Sequence, residues 1–426
     1  MELLIKGGHL IDPAAGKDGR YDILVRDGMV AQVAEQITCE TSEVIDASGK
    51  YVMPGFIDLH VHLREPGLEY KETIATGSMA AAAGGFTSIC PMPNTKPSTD
   101  TPEKITALLE KAKTDSKVHI LPIGAISIGQ EGKELADIAG MAKAGAVAVS
   151  EDGKSVMNSA LYAKGMKKAA EAGIPVFAHC EDIDLVRGGV MNAGKRSEEL
   201  GLPGITNAVE DIITARDIFL ARETGVQLHL CHCSTKDSVK MIALAKEEGL
   251  PVSGETGPHY FTMIDEEIPE DFGNYKMNPP LRGKEDKEAL IRALQDNVLE
   301  AIATDHAPHS KEEKEQSMLK SPFGIVGSET AFALTVTELV RKGKLTMREL
   351  VERMSAQPAR ILGIPKGSLQ PGMAADITIA DTESSYVIDP EKFYSKGKNT
   401  PFGGKEVYGV ICHTIVDGEI VYSNEN

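Results

Sequence analysis

A chain of 426 residues with 42% hydrophobic and 25% charged residues is long enough for more than one packed unit. Its net charge of −18 argues against nucleic acid or an anionic membrane as a partner, while leaving room for a small anionic substrate held by local cations. No apolar run is long enough to cross a bilayer, no leader-like segment opens the chain, and six cysteines over this length make no disulfide framework, so the expected location is cytoplasmic.

Residues 1–55 read as short strands over 3–6, 21–26, 29–35 and 43–46, with turns at Asp27-Gly28 and Ser48-Gly49. From residue 56 strand-like and amphipathic helical segments alternate. The strands fall at 56–62, 86–90, 118–124, 146–150, 175–179, 227–232, 251–255 and 300–305; helices are clearest over 205–224, 236–248 and 287–299. Beyond residue 367 strands return at 375–380, 407–413 and 414–421, with Asp417-Gly418 as a hairpin turn. Neither end makes a comfortable unit alone. The expected architecture is α/β: a (β/α)8 TIM-type barrel over 56–366, with a small β-sandwich formed by both chain ends, 1–55 and 367–426. A doubly wound open sheet is the rival, but no glycine-rich dinucleotide or phosphate loop follows the early strands.

Residues 55–62 read Gly-Phe-Ile-Asp-Leu-His-Val-His. Residues i and i+2 of a strand share a face, so His60 and His62 leave the first strand end together. Alone, such a pair is as often capping or surface histidine as half a metal site. Further donors fall at other strand ends: Asp152 after the fourth, His179 at the fifth, His232 at the sixth and Asp305 at the eighth. A barrel gathers these ends at one mouth. Imidazoles and carboxylates in that number suit zinc and exceed one tetrahedral ion, so two ions sharing a carboxylate are expected. Glu151 and Asp152 should face opposite ways, and Asp152 is the one assigned to the site. Cys231 and Cys233 should point away from His232 and pack, and His229 reads as structural.

Together, His60-Val-His-Leu-Arg-Glu-Pro-Gly67, Met92-Pro-Asn-Thr95, Ser150-Glu-Asp-Gly153, His179, His232, Met277-Asn-Pro-Pro-Leu-Arg282, Thr304-Asp-His-Ala-Pro-His309, Pro322-Phe-Gly324 and Gly372-Met-Ala-Ala-Asp-Ile377 resemble the type I dihydroorotases of the amidohydrolase superfamily. The resemblance covers nearly the whole chain. It implies reversible interconversion of N-carbamoyl-L-aspartate and L-dihydroorotate in pyrimidine synthesis. It implies one or two zinc ions, two being favoured: His60, His62 and Asp305 on one, His179 and His232 on the other, and Asp152 between them. Many relatives bridge with a carbamylated lysine; here the fourth strand ends in Ser-Glu-Asp-Gly, which fits an aspartate bridge. Arg64, Asn94 and His309 match positions that hold the substrate carboxylate, with His62 beside them, and Asn278, Phe323 and Gly324 match ring contacts.

Zinc can bring the pKa of bound water to about 7, and hydroxide on the metal would attack the ring carbonyl with Asp305 as proton shuttle. Arg64, two residues past the histidine pair, should share their side of the strand and offer a planar fork to a carboxylate. The charged stretch 310–321 reads as a solvated loop able to act as a lid. Relatives of this type associate with themselves or with aspartate transcarbamoylase, and both remain open. Rivals are another cyclic amidohydrolase, such as a dihydropyrimidinase or allantoinase, and a non-catalytic scaffold. The first lacks the ring carboxylate that Arg64, Asn94 and His309 would serve; the second would have lost metal donors.

Overall fold

The computed structural model describes residues 2–39 and 43–424. Both chain ends build one eight-stranded sheet. Its order runs Glu419–Ser423, Glu406–Val416, Ile377–Val387, Tyr51–Pro54, Glu2–Asp12, Lys17–Arg26 and Met29–Ala34, with Glu43–Asp46 also paired to Glu2–Asp12. The first strand pairs three others, Lys17–Arg26 along one edge and Glu43–Asp46 then Tyr51–Pro54 along the other, and its register shifts between Ile5 and Gly8. Glycine is needed there: a Cβ on Gly8 would stand 2.4 Å from Val52 Cγ2. The two flanks of the sheet curl together. Val30 N–H donates to Met373 O at 2.9 Å and Ala375 N–H to Gly28 O at 2.8 Å. Leu3, Ile5, Ile23, Val25 and Val30 thereby share a core with Ile377, Ile379 and Ile415, which is the sandwich.

The strands Phe56–Val61, Phe86–Pro91, His119–Ile120 with Ile123–Ala125, Ala148–Ser150, Val176–Ala178, Leu228–Leu230, Val252–Thr256 and Ala301–Ile302 form the barrel. Every neighbouring pair is parallel. Helices such as Ile74–Ala83, Pro102–Asp115, Ser159–Ala172, Ala208–Thr224, Lys236–Glu247 and Lys284–Gln295 connect them. Four of them start on side-chain caps, from Thr73, Thr101, Asn158 and Thr235. Several stop on left-handed glycines, as at Gly173 and Gly225.

The ladder around the ring is interrupted. The third strand was expected unbroken over 118–124, but Pro122 has no N–H to donate, and the strand splits there into one piece on each ladder. The eighth strand meets the first through a single parallel bridge, Val61 with His306, where His62 N–H donates to His306 O at 2.8 Å.

Alternation along each strand explains the burial on both faces. Val149, Val176, Ala178, Leu228 and Leu230 pack with the surrounding helices. Ala148, Phe177, Cys231, Ala301 and Ala303 form a second cluster inside the ring, closed below by Ala359, Ile361 and Leu362. Cys231 is therefore packing, as expected, although its Sγ lies among the atoms around His60 and Glu255. Burial pushes its thiol up to about 12. No helix among the described residues is long and apolar enough to cross a membrane.

Candidate active site

His60 and His62 close the first strand side by side, as the two-residue period demands. His60 is fully buried. Its Nε2 lies 3.3 Å from Asp152 Oδ1 and 3.5 Å from Asp305 Oδ1. His62 Nε2 lies 3.1 Å from Asp305 Oδ1 and 3.6 Å from Asp152 Oδ2. From the far side of the barrel, His179 Nδ1 comes within 3.4 Å and His232 Nε2 within 3.7 Å of Asp152 Oδ1. The two rings are 2.9 Å apart, Nδ1 to Nε2. The four histidines thus converge on Asp152, and Asp305 joins them through His60 and His62. The neighbouring Glu151 turns the other way, accepting from Ile126 N at 3.2 Å and Ser127 N at 3.0 Å, while Lys154 is exposed.

The ring nitrogens that face away from this centre are held by oxygen partners. His62 Nδ1 meets Asn94 Oδ1 at 2.9 Å, His179 Nε2 meets Glu181 Oε2 at 3.0 Å, and His60 Nδ1 lies 3.4 Å from Glu255 Oε1. Such outer contacts orient imidazoles toward a metal. Three ring nitrogens are nevertheless buried with no hydrogen bond: the outward Nδ1 of His60 and of His232 and, facing the centre, His60 Nε2. Unpaired polar atoms at this depth are costly unless an ion completes them. Burial alone would push the Asp152 and Asp305 carboxyls up. The charge of His60, with the His179 and His232 rings close to Asp152 and the hydrogen bond between His62 and Asp305, holds both below the usual carboxylate range. Anionic oxygens and oriented imidazoles around shared points fit a divalent cation.

Arg64, His232 and Asp305 have φ of 62°, 48° for Asp305 and 36° for His232, the left-handed region that costs a non-glycine residue energy. The strand ends at Val61. Arg64 therefore reaches the site through this turn and not through strand alternation, which corrects the reason given for its placement but not the placement.

A cavity of about 140 Å³ lies against the cluster, lined by His62, Arg64, Asn94, Asp152, His179, His232, Asn278, Asp305, Phe323 and Gly324 among others. That volume admits one small molecule. Asn94 joins the two sides, since its Nδ2 also donates to Asp152 Oδ2 at 3.1 Å. Asn278 Nδ2 donates to Glu181 Oε1 at 2.8 Å. Arg64 Nε donates to Pro308 O at 3.1 Å, and its Nη2 stands 3.3 Å from His309 Nε2. Gly324 has a φ of 129°, and a Cβ there would come within 2.7 Å of Ala307 Cβ and 3.1 Å of His309 Nε2. Only glycine lets this backbone reach the cavity wall.

The segment 310–321 is solvated over much of its length, as expected, with Lys311, Glu312, Glu315, Leu319 and Lys320 exposed, but Lys314 and Met318 turn inward. Lys314 is buried, and its ammonium donates to Lys276 O at 3.1 Å, Pro322 O at 3.0 Å and Gly324 O at 2.8 Å. Met318 is also buried. Burial and the nearby cations Lys276 and Arg64 lower the Lys314 pKa to about 7. Lys314 and Met318 thus anchor an otherwise exposed charged run beneath Gly324 on the cavity wall.

Other residues escaped the sequence reading. Glu255 accepts from His229, whose Nε2 lies 3.0 Å away, and burial, which would raise its carboxyl, is overcome by His229 and His60, so it sits at about 2. Its position at the end of the seventh strand was the available signal. His229 is structural as expected, its Nδ1 2.8 Å from Ser253 Oγ. Asp58 accepts from Thr304 N at 3.0 Å and Thr304 Oγ1 at 2.6 Å, tying the first strand to the eighth. Asn399, from the C-terminal segment, accepts from His309 N at 3.1 Å and donates to Ala307 O at 3.1 Å and Gly324 O at 3.0 Å. No local pattern announces it.

The chain matches the dihydro-orotase-like family over residues 49–238 and the amidohydrolase family over 319–422. It is 48% identical to a dihydroorotase of Acetivibrio thermocellus, covering 98% of both chains. It is 47% identical to those of Syntrophus aciditrophicus, over 100% of both, and Staphylococcus epidermidis, over 99% of both. Among solved structures it resembles an L-hydantoinase (dihydropyrimidinase) from Arthrobacter aurescens, with a TM-score of 0.89 and 28% identity over 100% of this chain and 96% of that one. A D-hydantoinase superposes with a TM-score of 0.88 at 26% identity, over the same shares of the two chains. Full-length identity near one half with the dihydroorotases, against about a quarter with the hydantoinases that share the barrel and sandwich, decides between these relatives: the chain belongs to the dihydroorotase family of metal-dependent amidohydrolases.

Proposed function

We infer that this protein interconverts L-dihydroorotate and N-carbamoyl-L-aspartate, a cyclic amide hydrolysis and its reverse, with the cluster and the cavity wall in distinct roles. The observation that carries this reading is their adjacency: the His and Asp donors form one wall of the small cavity and Arg64 stands on another.

His60, His62 and Asp305 would hold one zinc ion, and His179 and His232 a second, with Asp152 between them; the convergence of the four histidines on Asp152 supports two ions over one. Bound zinc would supply an acidified water and polarise the ring carbonyl. Asp305 meets His60 and His62 through Oδ1, which would leave Oδ2 to accept a proton from the attacking water and to deliver it to the ring nitrogen as the C–N bond breaks. In the closing direction the same oxygen receives the nitrogen's proton. Arg64 and His309 hold the substrate carboxylate, and Asn94 offers its second amide hydrogen beside them. Asn278 and the Phe323-Gly324 backbone bound the ring.

We also propose that the barrel spans 56–366 and the sandwich 1–55 with 367–426, and that the protein works in the cytoplasm. All six cysteines are free, which supports a reducing compartment. Self-association, or association with aspartate transcarbamoylase, is read by ultracentrifugation of the purified chain alone and mixed with that enzyme.

The test is turnover by the purified protein. Ring opening of L-dihydroorotate should exceed that of an uncharged hydantoin or dihydropyrimidine by about 10²-fold or more in kcat/KM, because only the former offers the carboxylate to Arg64. Equal turnover of charged and uncharged rings would refute the substrate assignment, and no turnover of any ring would refute the enzyme.

A further inference from the structure

His309 carries hydrogen-bond partners that leave its proton only one place. Its Nε2 lies 2.8 Å from Phe323 O, a carbonyl that can only accept. Its Nδ1 lies 3.1 Å from the ammonium of Lys71, which can only donate. Both contacts are satisfied together by a single form of the ring, with the proton on Nε2 and a lone pair on Nδ1. The third neighbour opposes this form: Arg64 Nη2, 3.3 Å from Nε2, can only donate, so it faces the Nε2–H donor to donor, a contact that an anionic oxygen between them would relieve.

Lys71 is buried, and its ammonium is not on the cavity wall. Its other partner is Glu313 Oε1 at 2.8 Å. The same carboxylate has Oε2 3.7 Å from His309 Nδ1, too long for a hydrogen bond. Without the lysine, Glu313 would be the nearest acceptor to Nδ1 and would draw the proton there.

We propose that Lys71 is a positioning residue: by donating to His309 Nδ1 it fixes the ring proton on Nε2, the nitrogen on the Arg64 and Gly324 side, where the N–H held by Phe323 O is available to be shared with a substrate carboxylate bound at Arg64. Burial, with Arg64, Lys71 and Lys314 close by, lowers the His309 pKa, so the ring stays neutral and keeps a lone pair for Lys71. Lys71 acts through His309 and touches no substrate. The inference rests on the dihydroorotase reading for the meaning of the donor, but the ring's proton position can be read without substrate.

The experiment is nitrogen-15 NMR of the histidine-labelled, metal-loaded full chain, with His309 identified by the signals lost in His309→Asn. The wild type should show His309 as the Nε2–H form. Lys71→Met should move the proton toward Nδ1 and raise KM for dihydroorotate by about 10-fold, with kcat within about 3-fold. Lys71→Gln keeps a donor for Nδ1 and should restore both the Nε2–H signal and most of the KM. Glu313→Gln, which removes the ion pair but leaves the lysine, should keep the wild-type proton position. An unchanged ring in Lys71→Met, or a Lys71→Gln no better than Lys71→Met, would overturn the proposal. Failure of the wild type to turn over dihydroorotate would strike the functional reading separately, since the spectrum is taken without substrate.

Discussion

The two halves of the cavity are built by different means. On the side proposed to hold metal, His60, Asp152, His179, His232 and Asp305 come from the ends of barrel strands. On the side proposed to hold the carboxylate, Arg64, Phe323 and Gly324 come from loops with His309 behind them, and hydrogen bonds from Lys71, Lys314 and Asn399 hold His309 and Gly324 in place. Strands deliver side chains by periodicity, so the first half needs little help. Loops deliver them by long-range hydrogen bonds, so the second half depends on a frame. Substitutions should therefore act on chemistry in the first half and on substrate binding in the second.

The largest effect is expected at Asp305. Asp305→Asn keeps the shape but cannot accept and deliver the proton, and should lower kcat by about 10³-fold or more under saturating substrate. A loss confined to KM would move the shuttle elsewhere. On the other half, Arg64→Ala should cost about 10²-fold in kcat/KM on dihydroorotate and far less on an uncharged cyclic imide. Equal losses would remove the contrast between the halves.

Smaller effects test the supports. Glu255→Ala leaves His60 Nδ1 without its carboxylate and should weaken metal affinity about 10-fold to 100-fold, read by competition with a chelator. Asn399→Ala leaves the His309 N–H and the Ala307 and Gly324 carbonyls short of a partner. It should destabilise the protein by about 1–3 kcal/mol and raise KM more than it lowers kcat. Loss of metal in Asn399→Ala would show that the frame serves both halves. Smallest is Cys231→Ala: a neutral packing thiol beside His60 should change kcat by less than about 3-fold. A large loss of bound metal would make it a ligand.

The same division explains what the sequence disclosed. His60 and His62 were legible because a two-residue period puts them on one face, and Asp152, His179, His232 and Asp305 because each closes a β-branched or apolar run. The third strand misled because its apolar pattern continues through Pro122, where the hydrogen-bond ladder cannot. Arg64 was found for the wrong reason, since a left-handed turn carries it. Lys314 was hidden because a buried ammonium capped by carbonyls has the same letters around it as a solvated one. Asn399 was hidden because its partners lie about ninety residues away in the chain.

The central claim is that these distant donors hold catalytic metal. The direct measurement is a titration of zinc into the chelated, metal-free enzyme, following dihydroorotate turnover and bound metal in the same sample. Activity should be absent without metal, rise with occupancy and level off near two zinc ions per chain. Full turnover in a preparation shown to contain no transition metal would contradict the account.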